Sequence, residues 1–294
     1  MCGVVSIVYE NDNKNLGNEA CFLLKKLEYR GYDSTGASFL SENGDIVLMK
    51  KVGAPSVVTE ELEVGKRQGK KFIGQVRWAT YGSVTDENAQ PHEVQCHTHI
   101  IGAHNGNISN TDTLKEFLLE NGHQVVSDND GEMLVHLIEH YYAKLLQNHK
   151  NLLVEQKIEF FKQAIRKAEQ KAIGSYAACV SAPDIPGVFA IKSGSSLYAG
   201  KGKDVNGEFI VVSSDLTSVL SKTRFLIPLT EGEAVYFTHN DYTVFSVEEE
   251  SEHKPNLKRS RLNISDIALQ PRFKYFMQQE IFTSPANLDI LMNY

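Results

Sequence analysis

The chain has 294 residues, 41% hydrophobic and 23% charged, which fits one large globular domain or two small ones and excludes a disordered chain, a collagen or a coiled coil. Lys and Arg total 30 against 37 Asp and Glu, a formal charge of −7, and an acidic chain without an aromatic-rich basic block is a poor partner for nucleic acid. No stretch approaches the roughly 20 apolar residues that span a bilayer, MCGVVSIVYEND lacks the basic lead of a signal peptide, and the four dispersed cysteines (Cys2, Cys21, Cys96, Cys179) point to a reducing, cytoplasmic setting.

Met1 to Tyr9 carries Val4, Val5, Ile7 and Val8 with little polar alternation, the pattern of a strand buried on both faces. Ala20, Leu23, Leu24 and Leu27 follow at i, i+3, i+4 and i+7, one apolar stripe of a helix. Short β-rich runs come next: Gly36–Leu40, Asp45–Lys51, Phe72–Trp78 and Ile100–Ala103. Helices are then expected from Thr111 or Asp112 to Gly122, around Leu134–Leu145, and from Val154 to before Gly174. The last third returns to strands at Tyr176–Val180, Val188–Ile191, Phe209–Ser213, Ala234–Phe237 and Tyr242–Val247. Two groups of strands with helices between them predict an α+β layered domain over 2–247. EEESEHKPNLKRSRLNIS, from Glu248 to Ser265, reads as a solvated loop.

Several residues have the chemistry of a site. Cys2 precedes a glycine and a buried strand. With Met1 removed it would carry a thiol and a free α-amine on one residue, and an amine of reference pKa about 7.7–8.0 can take the thiol proton. The plainer reading is a small buried cysteine at a strand start. RWATYG places Arg77 at a strand end, where a guanidinium can grip a carboxylate in bidentate fashion, with the Thr80 hydroxyl close by. In HNGNISN, Asn105-Gly106 reads either as a type I′ hairpin turn or as an oxyanion hole made of the Asn105 amide and the Gly106 N–H. Asp128, Asp130 and Glu132 stand where acids favour a helix N-terminus, and one of them could hold an ammonium. The histidine-rich PHEVQCHTHIIGAH (His92, Cys96, His97, His99, His104) is a single cluster, whereas structural zinc sites usually show two. No metal and no cofactor is expected.

Together, MCGVVSI, LEYRGYDSTG, RWATYG, NAQPH, HNGNISN and VSDNDGEMLVHL resemble, in order, the glutaminase domain of class II glutamine amidotransferases, which are N-terminal nucleophile hydrolases. Within that class, EYRGYDS and RWAT resemble glucosamine-6-phosphate synthases (glutamine–fructose-6-phosphate aminotransferases). The likeness continues through GSYAACV, KSGSSL and FKYFMQQEIFTSP, the last similar to the connector into the synthases' sugar-isomerase half. The resemblance implies a four-layer αββα sandwich with the nucleophile at the start of a central strand. It implies that Cys2 is the nucleophile and its α-amine the base, that Asn105 and Gly106 form the oxyanion hole, and that Arg77, with Thr80 nearby, clamps the glutamine α-carboxylate. Asp130 would accept the α-ammonium, Trp78 would gate the ammonia path, and Arg30 would lie in a loop that closes near the site. Glutamine is the implied substrate, released as glutamate and ammonia, with fructose 6-phosphate as the acceptor.

Two departures qualify that expectation. The family commonly has His where this chain has Tyr81, which predicts altered loop packing with the clamp kept. Residues 248–294 read as a loop and connector toward a sugar-phosphate isomerase domain or subunit whose counterpart is not in this sequence. A stand-alone glutaminase serving another acceptor, or a non-catalytic glutamine-binding regulatory module if Met1 is retained, are the alternatives.

Overall fold

A computed structural model describes residues 2–41, 43–147, 149–264 and 269–292. The expected strand start at Met1, loop end at Ser265 and connector end at Tyr294 lie outside the described residues. In chain order the first elements are β1 (Gly3–Asn13), α1 (Leu16–Leu27), β2 (Ser34–Leu40), β3 (Ile46–Val52), α2 (Pro55–Glu61), β4 (Gly69–Arg77), β5 (His92–Val94) and β6 (Ile100–Ile108). Three helices follow, α3 (Thr111–Glu120), α4 (Asp130–Leu146) and α5 (Val154–Glu169). Then come β7 (Gly174–Ser181), β8 (Val188–Ser193), β9 (Tyr198–Asp204), β10 (Gly207–Ser213), α6 (Leu216–Leu220), β11 (Phe225–Ile227), β12 (Glu233–Phe237) and β13 (Tyr242–Ser246). Two short edge strands, β14 (Glu252–His253) and β15 (Lys258–Arg259), and the helix α7 (Phe276–Met292) complete the order.

The chain divides into two units, Met1–Arg259 and Ser260–Tyr294. In the first, an eight-stranded sheet runs β15-β11-β9-β10-β1-β4-β2-β3 and a seven-stranded sheet runs β14-β13-β12-β8-β7-β6-β5. Neighbouring strands in both are antiparallel. The predicted double burial of the first strand is realised. Val5, Ile7 and Tyr9 face the α1 stripe of Leu16, Ala20, Leu23, Leu24 and Leu27. Val4 and Val8 face Ile101, Ala103, Ala177 and Cys179 of the other sheet. The far side of that sheet, through Tyr176, Ala178 and Val180, packs on Leu134, Leu137 and Ile138 of α4. Helix, sheet, sheet and helix therefore stack as four layers, because successive residues of a strand point to opposite faces and both faces here are apolar.

Several local readings change. Thr111 does not cap α3. It is the first helical residue, Asn110 holds the cap position without a side-chain bond, and the Thr111 hydroxyl donates to the Ile108 carbonyl at 2.6 Å. Gln95–His99 is not a strand, so alternation does not govern where Cys96, His97 and His99 point. The loop expected from Glu248 supplies β14, paired with β13, and β15, paired with β11, so the first unit continues to Arg259. The second unit contains α7, and Gln279 Oε1 accepts the Gln270 N–H there at 2.7 Å. Among the described residues no helix is long and apolar enough to cross a membrane.

Candidate functional site

Cys2 stands one residue before β1, between the ends of two neighbours. Gly3 pairs with Val76 of β4, and on the other flank Val4 exchanges bonds with Ser214 just beyond β10: Val4 N to Ser214 Oγ at 3.0 Å and Ser214 N to Val4 O at 2.9 Å. These bonds fix the start of a central strand. The half-buried thiol rests on the Trp78 backbone, Sγ lying 3.3 Å from Trp78 O and 3.4 Å from Trp78 N. Burial pushes this thiol above its ordinary pKa, opposed by the Trp78 backbone bond and the positive charge of Arg77 and reinforced by the negative charge of Asp130. Cys2, Arg77 and Asp130 thus share one electrostatic neighbourhood.

Arg77 ends β4 and is 2% exposed. Its guanidinium donates to Ser83 O at 2.8 Å and to the carbonyl of Tyr81, so the loop after the strand wraps the cation. Burial lowers its pKa, with Cys2, Asp130 and Asp33 acting in the other direction. Tyr81, the departure from the family pattern, accepts the Arg77 hydrogen bond through its backbone carbonyl, and its side chain is exposed. A different side chain at that position therefore leaves the guanidinium's support in place. Asn88 secures the same loop, donating to Ser83 O at 2.9 Å and accepting from Asp128 N at 2.9 Å. Thr80 is exposed and has no side-chain hydrogen bond among the described residues.

Asp130 is the first residue of α4, where Asn129 caps the helix by accepting from Gly131 N at 2.9 Å. The buried Asp130 carboxylate accepts from Ile108 N at 2.9 Å and faces His104 Nε2 at 3.2 Å, both through Oδ2. The cost of burying the charge is outweighed by His104 and the Ile108 N–H, so its pKa falls below the usual carboxylate value. His104 is itself oriented by Gln90, which accepts from His104 N at 2.7 Å and faces Nδ1 at 3.1 Å. The ring lies so close to the helix start that a Cβ on Gly131 would fall 2.3 Å from His104 Nδ1. Sequence reasoning treated His104 as one of a histidine-rich run. Its task of aiming Asp130 depends on Gln90 and α4, and only the NAQPH motif hinted at the first of these.

Asn105 and Gly106 follow His104 inside β6, where they pair with Ala177 and Tyr176 of β7, so the hairpin-turn reading is excluded. Gly106 has φ +158°, and an added Cβ would lie 2.2 Å from Ser175 O, so β7 leaves no room for a side chain there. Asn105 is 8% exposed, yet its side-chain amide has no hydrogen-bond partner among the described residues.

Two further expected residues border Cys2. Arg30 Nε donates to the Cys2 carbonyl at 3.0 Å, with Nη1 3.9 Å from Asp215 Oδ1. Tyr29 donates to the same Asp215 oxygen at 2.7 Å, a partner no sequence pattern announced. Trp78 is exposed and packs against Tyr32, ring centroids 5.3 Å apart. The structure therefore draws Cys2, Arg30, Arg77, Trp78 and Asp130 into one connected region, and links Asn105 and Gly106 to it through His104, their neighbour on β6, which faces Asp130. Thr80 joins them through chain adjacency alone. A thiol, a guanidinium and a carboxylate so placed suit nucleophilic chemistry on a small zwitterion.

A family profile described as "Glutamine amidotransferase domain" matches residues 76–220. The chain is 31% identical over 292 residues to the glutamine–fructose-6-phosphate aminotransferase [isomerizing] of Sulfolobus acidocaldarius, covering 98% of this chain and 46% of that protein. It is 34% identical over 287 residues to the protein of the same name from Listeria innocua, covering 97% and 43%. The chain thus spans about half the length of the curated relatives it matches. Among solved structures, the glutamine phosphoribosylpyrophosphate amidotransferase of B. subtilis superposes with a TM-score of 0.66 at 23% identity, over 84% of this chain and 49% of that one. That likeness establishes the fold: two antiparallel sheets flanked by helices, as in N-terminal nucleophile hydrolases.

Proposed function

The chain belongs to the class II glutamine amidotransferases, as a domain homologous to the glutaminase half of glutamine–fructose-6-phosphate aminotransferases, and from that premise we propose that it hydrolyses glutamine to glutamate and ammonia through a thioester on Cys2. The observation that carries this reading is the Cys2 thiol at the head of a central strand, with Arg77 and Asp130 as its charged neighbours. In this reading residues 2–247, with the edge strands that follow as far as Arg259, form the glutaminase domain, and the rest of 248–294 leads toward a sugar-isomerase domain or subunit. The ammonia is destined for fructose 6-phosphate, giving glucosamine 6-phosphate, as the relatives' name suggests. Four unpaired cysteines suit a cytoplasmic enzyme.

Each step has a residue to serve it. Arg77 takes the glutamine α-carboxylate and Asp130 its α-ammonium, so neither end of the zwitterion is left unpaired. The Cys2 α-amine, freed by loss of Met1, accepts the thiol proton as sulfur bonds to the side-chain amide carbon. The Asn105 amide and the Gly106 N–H stabilise the resulting oxyanion. The C–N bond then breaks, and the protonated amine gives its proton to the departing ammonia. Water, deprotonated by the same amine, cleaves the thioester to glutamate and returns the thiol. Arg30 steadies the Cys2 carbonyl, Thr80 lies near the carboxylate clamp, and Trp78 with Tyr32 borders the exit for ammonia.

The direct test is intact mass followed by a glutaminase assay. A chain lighter by one methionine should release glutamate from glutamine. Full activity in a chain that keeps Met1 would remove the proposed base and the reading with it. Arg77→Ala should raise KM for glutamine by roughly 10–100-fold, the value of about 1.5–3 kcal/mol of charge-assisted hydrogen bonding, with a smaller change in kcat. An unchanged KM would place the carboxylate elsewhere.

A further inference from the structure

The structure assigns a second centre, which the glutaminase reading does not use. Cys96, His123 and His136 offer one sulfur and two ring nitrogens that all lie within 4.8 Å of one another. They converge from three parts of the chain: the bend after β5, the segment after α3, and the body of α4. His123 Nδ1 lies 3.1 Å from His136 Nδ1, and Cys96 Sγ lies 3.8 Å from His136 Nδ1. Zinc bonds of about 2.0–2.1 Å to nitrogen and about 2.3 Å to sulfur give tetrahedral edges of about 3.3 Å (N to N) and about 3.6 Å (N to S). The His123–His136 and Cys96–His136 separations straddle those edges, and the Cys96–His123 pair lies within 4.8 Å.

The surroundings are arranged as they are around metal-bound imidazoles. A ligating histidine usually donates its other N–H to a fixed acceptor. With both rings bound through Nδ1, His123 Nε2 faces His140 Nδ1 at 3.1 Å and His136 Nε2 faces Glu132 Oε1 at 3.4 Å. A fourth donor is close. The Glu139 carboxylate is wholly buried. Its Oε1 accepts the N–H groups of His97, at 2.7 Å, and Thr98, while Oε2 has no hydrogen-bond partner and lies 3.5 Å from His123 Nδ1. A buried carboxylate oxygen without a donor is costly, and a cation beside it removes that cost. A thiolate and a carboxylate also balance the two charges of a zinc ion, leaving the buried site neutral.

We propose that Cys96, His123 and His136, with Glu139 as the fourth donor, bind a structural zinc ion that fastens Gln95–His99 and the segment after α3 to α4. Thiolate and imidazole together favour zinc over magnesium or calcium, which prefer oxygen donors. The proposal is independent of the reaction at Cys2. Sequence reading expected no metal because the second pair of ligands, His123 and His136, stands outside the histidine-rich run. Of that run only Cys96 takes part.

The test uses the full chain carrying Cys2→Ala, so that the half-buried thiol at the other site cannot hold metal. Protein from zinc-supplemented cells should contain about one zinc per chain, and removing it with a chelator should lower Tm until zinc, but not magnesium, is returned. Cobalt in its place should give a thiolate-to-metal charge-transfer band and visible bands of tetrahedral intensity. Cys96→Ser should abolish the charge-transfer band and Cys21→Ser should keep it. Glu139→Gln should weaken zinc binding by roughly 10-fold or more. Less than about a tenth of an equivalent of zinc with a Tm indifferent to chelator would overturn the proposal without any variant. So would a charge-transfer band that survives Cys96→Ser.

Discussion

Cys2→Ala is expected to lose glutaminase activity by at least roughly three orders of magnitude while still binding glutamine. The substitution removes one sulfur whose protein contacts are with the Trp78 backbone, so the strand start held by Val4 and Ser214 should be unmoved and Tm close to that of the parent. Arg77 and Asp130 remain, so Kd for glutamine, read by calorimetry, should change by less than about threefold. Retained turnover would sink the nucleophile assignment, and loss of binding would mean that Cys2 shapes the pocket instead. The pH profile gives a second reading of the same claim. Burial holds the Cys2 thiol above its ordinary pKa, so near neutrality the resting group is a thiol and needs a base at the moment of attack. A terminal amine with a reference pKa of about 7.7–8.0 is protonated below that range and free above it. The rate should therefore rise with pH through that window in the parent, and formylation of the amine should flatten the rise. A thiolate present from the start would instead give a profile that follows the sulfur alone.

The parts of the molecule legible in the sequence were those whose signal is local. Both faces of β1 are apolar in the chain itself, and the α1 stripe recurs every turn, so burial could be read before any partner was known. Arg77 at a strand end and acids opening α4 are likewise local facts. The strand β9 was missed because Tyr198–Asp204 contains two glycines and three charged residues, and its place between β10 and β11 rests on backbone pairing, which composition does not record. Helices α2 and α6, of 7 and 5 residues, are too short to build a period. Asn105-Gly106 kept its hairpin-turn reading until β7 was seen to pair beside it. His104 becomes an orienting residue only through Gln90, fourteen positions back, and Asp130, twenty-six positions on. Cys96 acquires its neighbours in the same non-local way. A residue's place on an element was thus readable where the signal is local, and its neighbours were hidden where two residues meet only through tertiary packing.

The amide of Asn105 is where packing and chemistry can be separated by one substitution. Asn105→Ala is expected to reduce kcat by about 10²–10³, equivalent to about 2.7–4 kcal/mol of lost oxyanion stabilisation, with KM for glutamine nearly unchanged. Most buried polar residues confound such a test, because truncating them also strands a partner. Asn105 has no side-chain partner among the described residues to strand, and its neighbours on β6 pair with β7 through the backbone. Stability should accordingly fall by less than about 1 kcal/mol, so the rate loss reads the missing donor alone. Gly106 offers no such clean probe. A methyl there would meet Ser175 O at 2.2 Å, forcing β6 and β7 apart and displacing Asn105 as well. Single-turnover measurement of thioester formation locates the effect, since the donor acts on the tetrahedral species and not on the bound amide. A variant whose kcat is intact would show that the developing charge lies elsewhere. One in which KM rises with kcat unchanged would move Asn105 from stabilising the transition state to binding the substrate.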